Sequence, residues 1–183
     1  MNKLCFIVLM LFYTEAYASI EKKISEKLNK INIMSFNFTQ TIDGKDETGS
    51  CTIKYPKKIF CKYNYRFNKI LVSNGNSLVI KSDKNKQYYL YPLDRTPLIY
   101  LLDKKSIIKR IDGLKVKEVN DKFLMLSIGE KEGKINIFFS KENLDLIGWQ
   151  TEDIYQNLSV TYIYDLEINN NIDEKIFELP KPF

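Results

Sequence analysis

The sequence predicts a mainly β fold of the α+β class, in which antiparallel strands are accompanied by few helices. Three observations support this prediction. Most segments after residue 33 alternate apolar and polar residues, the period-two pattern of half-buried strands. Short turns rich in Asn, Asp, Gly and Pro separate these segments. Helical periodicity is confined to a segment near the start and a short one near the middle, so we expect one domain in residues 19–183.

The first eighteen residues are typical of a secretory signal peptide. Lys3 precedes an apolar run from Leu4 to Tyr13, and Ala16-Tyr17-Ala18 fits the small-x-small pattern of a cleavage site. The alternative is a membrane anchor, but the run is about half of the roughly 20 residues that a spanning helix needs. The sequence therefore predicts export, with a mature chain that begins near Ser19.

An amphipathic helix is predicted over residues 20–33. Ile20, Ile24, Leu28 and Ile31 recur at spacings of three and four among charged residues. The next segment, residues 34–42, alternates as a strand should. We expect the helix to pack on the sheet that this strand begins.

Residues 49–65 predict a β-hairpin that turns at Pro56-Lys57-Lys58. Its apolar face is predicted to hold Cys51, Ile53, Tyr55, Ile59, Cys61, Tyr63 and Tyr65. Cys51 and Cys61 share that face at similar distances from the turn, which permits a cross-strand disulfide in an oxidising compartment. The alternative is a pair of buried free thiols.

The rest of the chain predicts a β-meander interrupted once by helix. Strands are predicted over residues 69–73, 78–81, 87–91, 115–119, 123–128, 134–140, 144–151 and 160–168, with a short closing strand in the tail IFELPKPF. In the strand 160–168 the apolar side consists of Val160, Tyr162, Tyr164, Leu166 and Ile168. Thr96-Pro97 is a helix-start signal before the apolar residues 98–102, and a second short helix is predicted over 104–111.

The composition argues against most enzymatic classes. The chain has no histidine, which excludes a Ser-His-Asp triad, a Cys-His pair and the common zinc sites. Ser106 and Lys109 match a serine-x-x-lysine pattern without its companion motifs. Lysines and tyrosines of residues 54–66 could form a nucleic-acid platform, but their opposite parity places them on opposite faces. We therefore expect neither an enzyme nor a nucleic-acid binder.

Several motifs, in order, resemble those of the outer-membrane lipoprotein carrier (LolA) family. They are Phe38-Thr39-Gln40, the glycine-led strand Gly49 to Pro56, Ile70 to Gly75, Thr96-Pro97 before Leu98 to Leu102, Leu146-Ile147-Gly148-Trp149, and Phe177-Glu178-Leu179-Pro180. The likeness covers essentially the whole mature chain. Two positions depart from the family pattern: Tyr55 stands where the family has a lid-holding arginine, and Cys61 where it commonly has an aromatic residue. A tyrosine hydroxyl at position 55 could still reach a helix carbonyl.

The resemblance implies an incomplete antiparallel β-barrel, or half-barrel, whose concave apolar face is covered by the N-terminal helix and short lid helices. It also implies a periplasmic, monomeric chaperone that binds the acyl chains of lipoproteins and ferries them from the inner to the outer membrane. The implied partners are acylated lipoproteins, an inner-membrane lipoprotein-releasing transporter, and an outer-membrane acceptor or the outer membrane itself. No cofactor or metal is implied.

The parity of the strands and this resemblance together predict the binding residues. The predicted wall of the acyl-chain cavity is Phe38, Ile53, Tyr55, Ile59, Tyr63, Leu78, Ile80, Tyr89 and Tyr91. The predicted lid is Thr96, Pro97, Leu98, Leu101 and Leu102. Two alternatives remain: an exported binder of another amphiphile on the same fold, and a small secreted hydrolase that uses Ser106 and Lys109.

Overall fold

A computed structural model describes residues 18–64, 68–130, 133–152 and 157–183, without the side chains of Asp112 and Glu130. Residues 1–17 of the predicted signal peptide, Tyr65 of the hairpin and the loop at Lys131 and Glu132 lie outside the described residues. Within those ranges, no helix is both long enough and apolar enough to cross a bilayer.

The helices lie where the sequence predicts them, except that the first ends at Lys30 instead of continuing to residue 33. Helix α1 spans Ile20–Lys30, and the Ser19 hydroxyl caps it by accepting a hydrogen bond from the Lys22 N–H. The two short helices are α2 (Ile99–Leu102) and α3 (Lys104–Arg110). Asp103 separates them, and its carboxylate accepts the Ser106 N–H at 3.1 Å. This cap lets α3 begin immediately after α2 ends.

The strands form an open antiparallel sheet. Along the chain they are β1 (Ile33–Ile42), β2 (Lys45–Lys54), β3 (Lys58–Tyr63), β4 (Lys69–Asn74), β5 (Ser77–Ser82), β6 (Gln87–Pro92), β7 (Lys117–Val119), β8 (Phe123–Glu130), β9 (Gly133–Ser140), β10 (Leu146–Glu152) and β11 (Leu158–Ile168). The eleven strands are ordered β6-β5-β4-β3-β2-β1-β11-β10-β9-β8-β7, so the first and last long strands meet in the centre. The sheet is not closed into a barrel, which confirms the predicted half-barrel class.

The main core lies on the concave face of this sheet, beneath the helices. Ile24 and Leu28 of α1 pack there with Leu101 and Leu102 of α2. Strands far apart in the sheet order, such as β5 and β10, contribute to one cavity on this face. The sheet is therefore strongly curved around the core.

The alternating apolar residues of β11 were predicted to share one face of the sheet, but in the structure they lie on two. Tyr162 and Tyr164 are 58% and 40% exposed on the convex face, whereas Ile163 is buried. A bulge explains the change, because two residues of β11, Asp165 and Leu166, oppose one residue of β1 and Asp165 takes a φ of 53°. Beyond the bulge, Leu166 packs against the concave core.

The tail is not the closing strand that the sequence predicts. Residues Glu174–Phe177 form a 3₁₀ turn, and irregular chain follows. Buried Phe177 lies against β3 and β4 on the convex side, where Val72 and Val79 are also buried. The tail thus covers a second, smaller apolar cluster and leaves the concave face to the helices.

Two glycines of the recognised motifs lie where strands approach closely. A Cβ on Gly148 of β10 would stand 2.2 Å from the Thr161 carbonyl oxygen. A Cβ on Gly49 of β2 would stand 2.3 Å from the Lys62 carbonyl oxygen and 2.9 Å from the Phe38 ring. Both positions require glycine because any side chain would push neighbouring strands apart.

Candidate binding cavity

A partly open cavity of about 170 Å³ lies between the concave face and the start of the lid. Its lining is mostly apolar. The lining residues are Phe38, Gln40, Cys51, Ile59, Cys61, Tyr63, Leu71, Leu78, Thr96, Pro97, Leu98, Trp149, Thr151 and Thr161. Strands from both halves of the sheet therefore face one space.

The structure places seven of the predicted wall and lid residues around this cavity. They are Phe38, Ile59, Tyr63, Leu78, Thr96, Pro97 and Leu98. The Phe38 and Tyr63 rings meet edge to face, with centroids 5.0 Å apart. Gly49, opposite both residues in the ladder, makes this approach possible.

Other predicted residues belong to the packed core beside the cavity. Ile53, Leu101 and Leu102 are fully buried in the main core. Tyr55 lines a separate, nearly filled space beneath the helices, together with Leu101. These residues support the cavity and the lid without lining the open volume.

Tyr89 and Tyr91 are not brought to the cavity. They share the concave face, because Leu78 opposes Tyr91 and Ile80 opposes Tyr89, but they are 43% and 42% exposed. With Ile80 they line a separate open groove of about 370 Å³ at the sheet edge. The parity argument found their face and missed that the helices do not cover β6.

Polar residues that sequence reasoning missed form a network at one end of the cavity. The Tyr63 hydroxyl donates to Gln40 Oε1 at 2.8 Å. Gln40 Nε2 in turn donates to Ser159 Oγ at 3.0 Å and to Thr161 Oγ1 at 3.1 Å. The selection of apolar residues passed over these neutral groups, although Gln40 stands in the Phe-x-Gln motif and shares parity with Phe38.

Beyond Tyr63 the concave face becomes charged. Lys69 pairs with Glu47, each side chain being 19% exposed, and its Nζ lies 3.9 Å from the Tyr63 ring centroid. Burial and, secondarily, the Glu47 charge raise the pKa of Tyr63, so its hydroxyl stays a hydrogen-bond donor at neutral pH. Polarity thus increases from the lid end of the cavity toward this pair.

The lid is held through its backbone and through Lys104. The Lys57 N–H donates to the Leu102 carbonyl at 2.9 Å, and Lys57 Nζ lies 3.5 Å from the Asp103 carboxylate. Lys104 donates to the Ile31 carbonyl, and burial, with a smaller effect of neighbouring Lys105, lowers the pKa of Lys104.

Tyr55 contacts the lid through its ring. Lys104 Nζ lies 5.1 Å from the Tyr55 ring centroid, within the range of a cation–π contact. A lysine of the lid, Lys104, also donates the hydrogen bond to the Ile31 carbonyl at the end of α1.

Cys51 and Cys61 are joined by a disulfide. They are directly paired in the ladder of β2 and β3, with Cα atoms 4.1 Å apart. Both cysteines line the cavity. The disulfide therefore forms part of the cavity wall and fixes the register of the hairpin behind it.

The described residues around the cavity include neither a metal cluster nor the serine-x-x-lysine pair. Within the described ranges, no group of three or more His, Cys, Asp or Glu residues could hold a metal ion. Ser106 and Lys109 lie on α3 outside the cavity lining. The site is suited to holding an apolar group and hydrogen-bonding its neutral polar end.

Comparison with known families gives one match that covers most of the chain. Residues 29–180 match the family described as "Outer membrane lipoprotein carrier protein LolA". No curated protein matches the sequence.

Solved structures resemble the fold at low sequence identity. An uncharacterized conserved protein from Thermus thermophilus has a TM-score of 0.52 at 7% identity, covering 88% of this chain and 93% of its own. A putative outer membrane lipoprotein-sorting protein domain from Vibrio parahaemolyticus has a TM-score of 0.49 at 8% identity, covering 85% and 94%. A LolA superfamily protein from Nitrosomonas europaea has a TM-score of 0.45 at 10% identity, covering 88% and 99%. Of the three, the Thermus structure supports the fold.

Proposed function

The chain belongs to the outer membrane lipoprotein carrier (LolA) family, and from this premise we propose that it is a periplasmic carrier of lipoprotein acyl chains. The observation that carries the proposal is the apolar cavity between the concave sheet and the start of the lid, where Thr96, Pro97 and Leu98 line it. Lipoproteins would be received from an inner-membrane releasing transporter and delivered to an outer-membrane acceptor or to the membrane itself. No catalytic step is required of the protein.

The chemistry of the cavity supports an acyl ligand. Burying each methylene contributes about 0.8 kcal/mol, so affinity grows with chain length and needs no charged partner. The polar lining groups are the neutral side chains of Gln40, Tyr63, Thr96, Thr151 and Thr161. Such groups match ester or amide linkages better than a charged head group.

The size of the cavity supports a lid that opens. A volume of about 170 Å³ is below the roughly 300–1,000 Å³ of sites that hold drug-sized ligands. Helices α2 and α3 span only four and seven residues, and helices of such length are unstable without tertiary contacts. A ligand that displaces them exposes more of the concave face, and release follows when a more apolar acceptor competes.

A cavity-filling substitution tests the proposal. Leu71 lies on the concave side of β4 and lines the cavity, whereas the adjacent Ile70 does not. We expect Leu71→Trp to lower the yield of co-purified acylated lipoproteins about tenfold, because overpacking by about 1–3 kcal/mol opposes ligand entry. Native mass spectrometry of protein purified from the periplasm without detergent measures this yield.

Ile70→Trp is the matched control, since it adds the same side chain on the opposite face of the same strand. It should retain the passenger. If a free lipid or glycolipid co-purified in place of a lipoprotein, the cavity would still be the binding site, but its ligand would not be a lipoprotein. Equal lipoprotein yields from both variants would contradict binding in this cavity.

A further inference from the structure

The two edges of the sheet differ in how they are protected. Edge strand β7 has only three residues, of which Lys117 and Glu118 are charged. Edge strand β6 has six, Gln87–Pro92, without a charged residue. Exposed edges pair readily with other chains, and proteins usually shorten them or place charges on them. Strand β7 has both protections and β6 has neither.

Strand β6 presents apolar side chains next to this open edge. Tyr89, Leu90 and Tyr91 are 43%, 57% and 42% exposed. In the part of the chain that the structure describes, β6 pairs with β5 alone. The C-terminal tail lies near but on the convex side, where the Tyr88 hydroxyl donates to the Pro180 carbonyl at 3.1 Å. The tail therefore contacts side chains of this hairpin without adding a strand to it.

The concave side of β6 continues from the cavity wall. Leu78, in the wall, is opposite Tyr91. The groove beside it is polar as well as aromatic, with Glu47, Lys69, Ser82, Asn85 and Gln87 in its lining. The Tyr89 and Tyr91 rings stack with centroids 6.4 Å apart. Such a lining suits a peptide better than an acyl chain.

We propose that β6 is a docking edge at which the passenger adds a β-strand, formed by the polypeptide segment that follows its acylated residue. This inference rests on the proposed carrier function and deepens it. With the linkage of the acyl chain at the Tyr63–Gln40 network, an added strand beyond β6 lies four strand spacings from β3, about 19 Å along the sheet. About six extended residues span that distance. Backbone hydrogen bonds then hold any sequence, as a carrier of many passengers requires.

Two synthetic probes distinguish the contribution of the peptide to binding from that of the lipid. One is S-dipalmitoylglyceryl-cysteine amide. The other carries the same cysteine at the head of a neutral decapeptide of Thr, Ser and Asn. We expect the decapeptide probe to bind about tenfold more tightly and to slow hydrogen exchange by about tenfold or more at those amides of residues 87–91 that point away from β5. The amide probe should bind and leave exchange in β6 unchanged.

Two leucine-to-lysine substitutions, one on the edge strand and one away from it, give matched variants. Leu90→Lys should remove the tenfold advantage of the decapeptide probe and leave the affinity of the amide probe unchanged, because a charged edge resists strand addition. Leu158→Lys, at a 44% exposed site on β11, should retain the advantage.

The binding results test the docking edge separately from the carrier function on which it depends. Equal affinities for the two probes, with unchanged exchange in β6, would overturn the docking edge and leave the carrier function standing. Failure of both probes to bind would overturn both.

Discussion

Replacing both Cys51 and Cys61 by serine is expected to lower the free energy of unfolding by about 3 kcal/mol. The disulfide joins residues ten apart in sequence, and its loss frees this loop in the unfolded chain. The serines also place two hydroxyls in a mostly apolar wall. Urea denaturation at neutral pH measures the effect as a lower midpoint.

The reduced wild type and a surface variant are controls that show whether the loss of stability comes from the disulfide. Ser50 and Lys62 form the next cross-strand pair of the same hairpin, and both are exposed. The Ser50→Ala/Lys62→Ala variant should stay within about 0.5 kcal/mol of the wild type. Wild type treated with reductant should approach the double serine variant. Unchanged stability after verified reduction would contradict the stabilising role of the disulfide.

Leu101→Glu is expected to detach the lid. Leu101 is 1% exposed in α2, and no cationic group lines the small space beside it except Lys27. Leaving an unpaired carboxylate there costs several kcal/mol, and this cost opposes the docking of α2 and α3 on the sheet. Limited proteolysis should then cut residues 98–111 at least about tenfold faster, while the far-UV circular dichroism of the sheet persists.

Lys105→Glu is the control, because it introduces the same side chain at an exposed position of the lid. It should be cleaved at the wild-type rate. If Leu101→Glu resisted proteolysis as the wild type does, the lid would not be a separately detachable unit. If it lost its sheet signal altogether, the lid would be integral to the fold.

The pattern of the sequence predicted the strands and their faces well where pairing is regular. The facing of Ile59 and Tyr63 followed from parity, because no bulge interrupts β3. In β11 parity failed at Asp165, since one extra residue moves the following side chains to the other face. A φ of 53° at an aspartate has no clear signal in an apolar–polar pattern.

Which strands the helices cover was harder to predict than which face of the sheet each side chain occupies. Tyr89 and Tyr91 have the same parity as the cavity residues, yet they lie beyond the reach of the helices. How far a lid extends over a curved sheet depends on tertiary packing, which local periodicity does not encode. Gln40 shows the opposite failure: its side chain is polar, but its place opposite Thr161 puts it in the cavity network.

Trp149 gives the cavity a property that no other part of the protein shares. It is the chain's only tryptophan, 6% exposed in the wall, with its ring edge to face with Phe36 at 6.0 Å. Excitation at the red edge of the absorption band therefore reports on this wall alone. The intrinsic fluorescence of the unlabelled protein is a gauge of whether the cavity is dry, occupied or open to water.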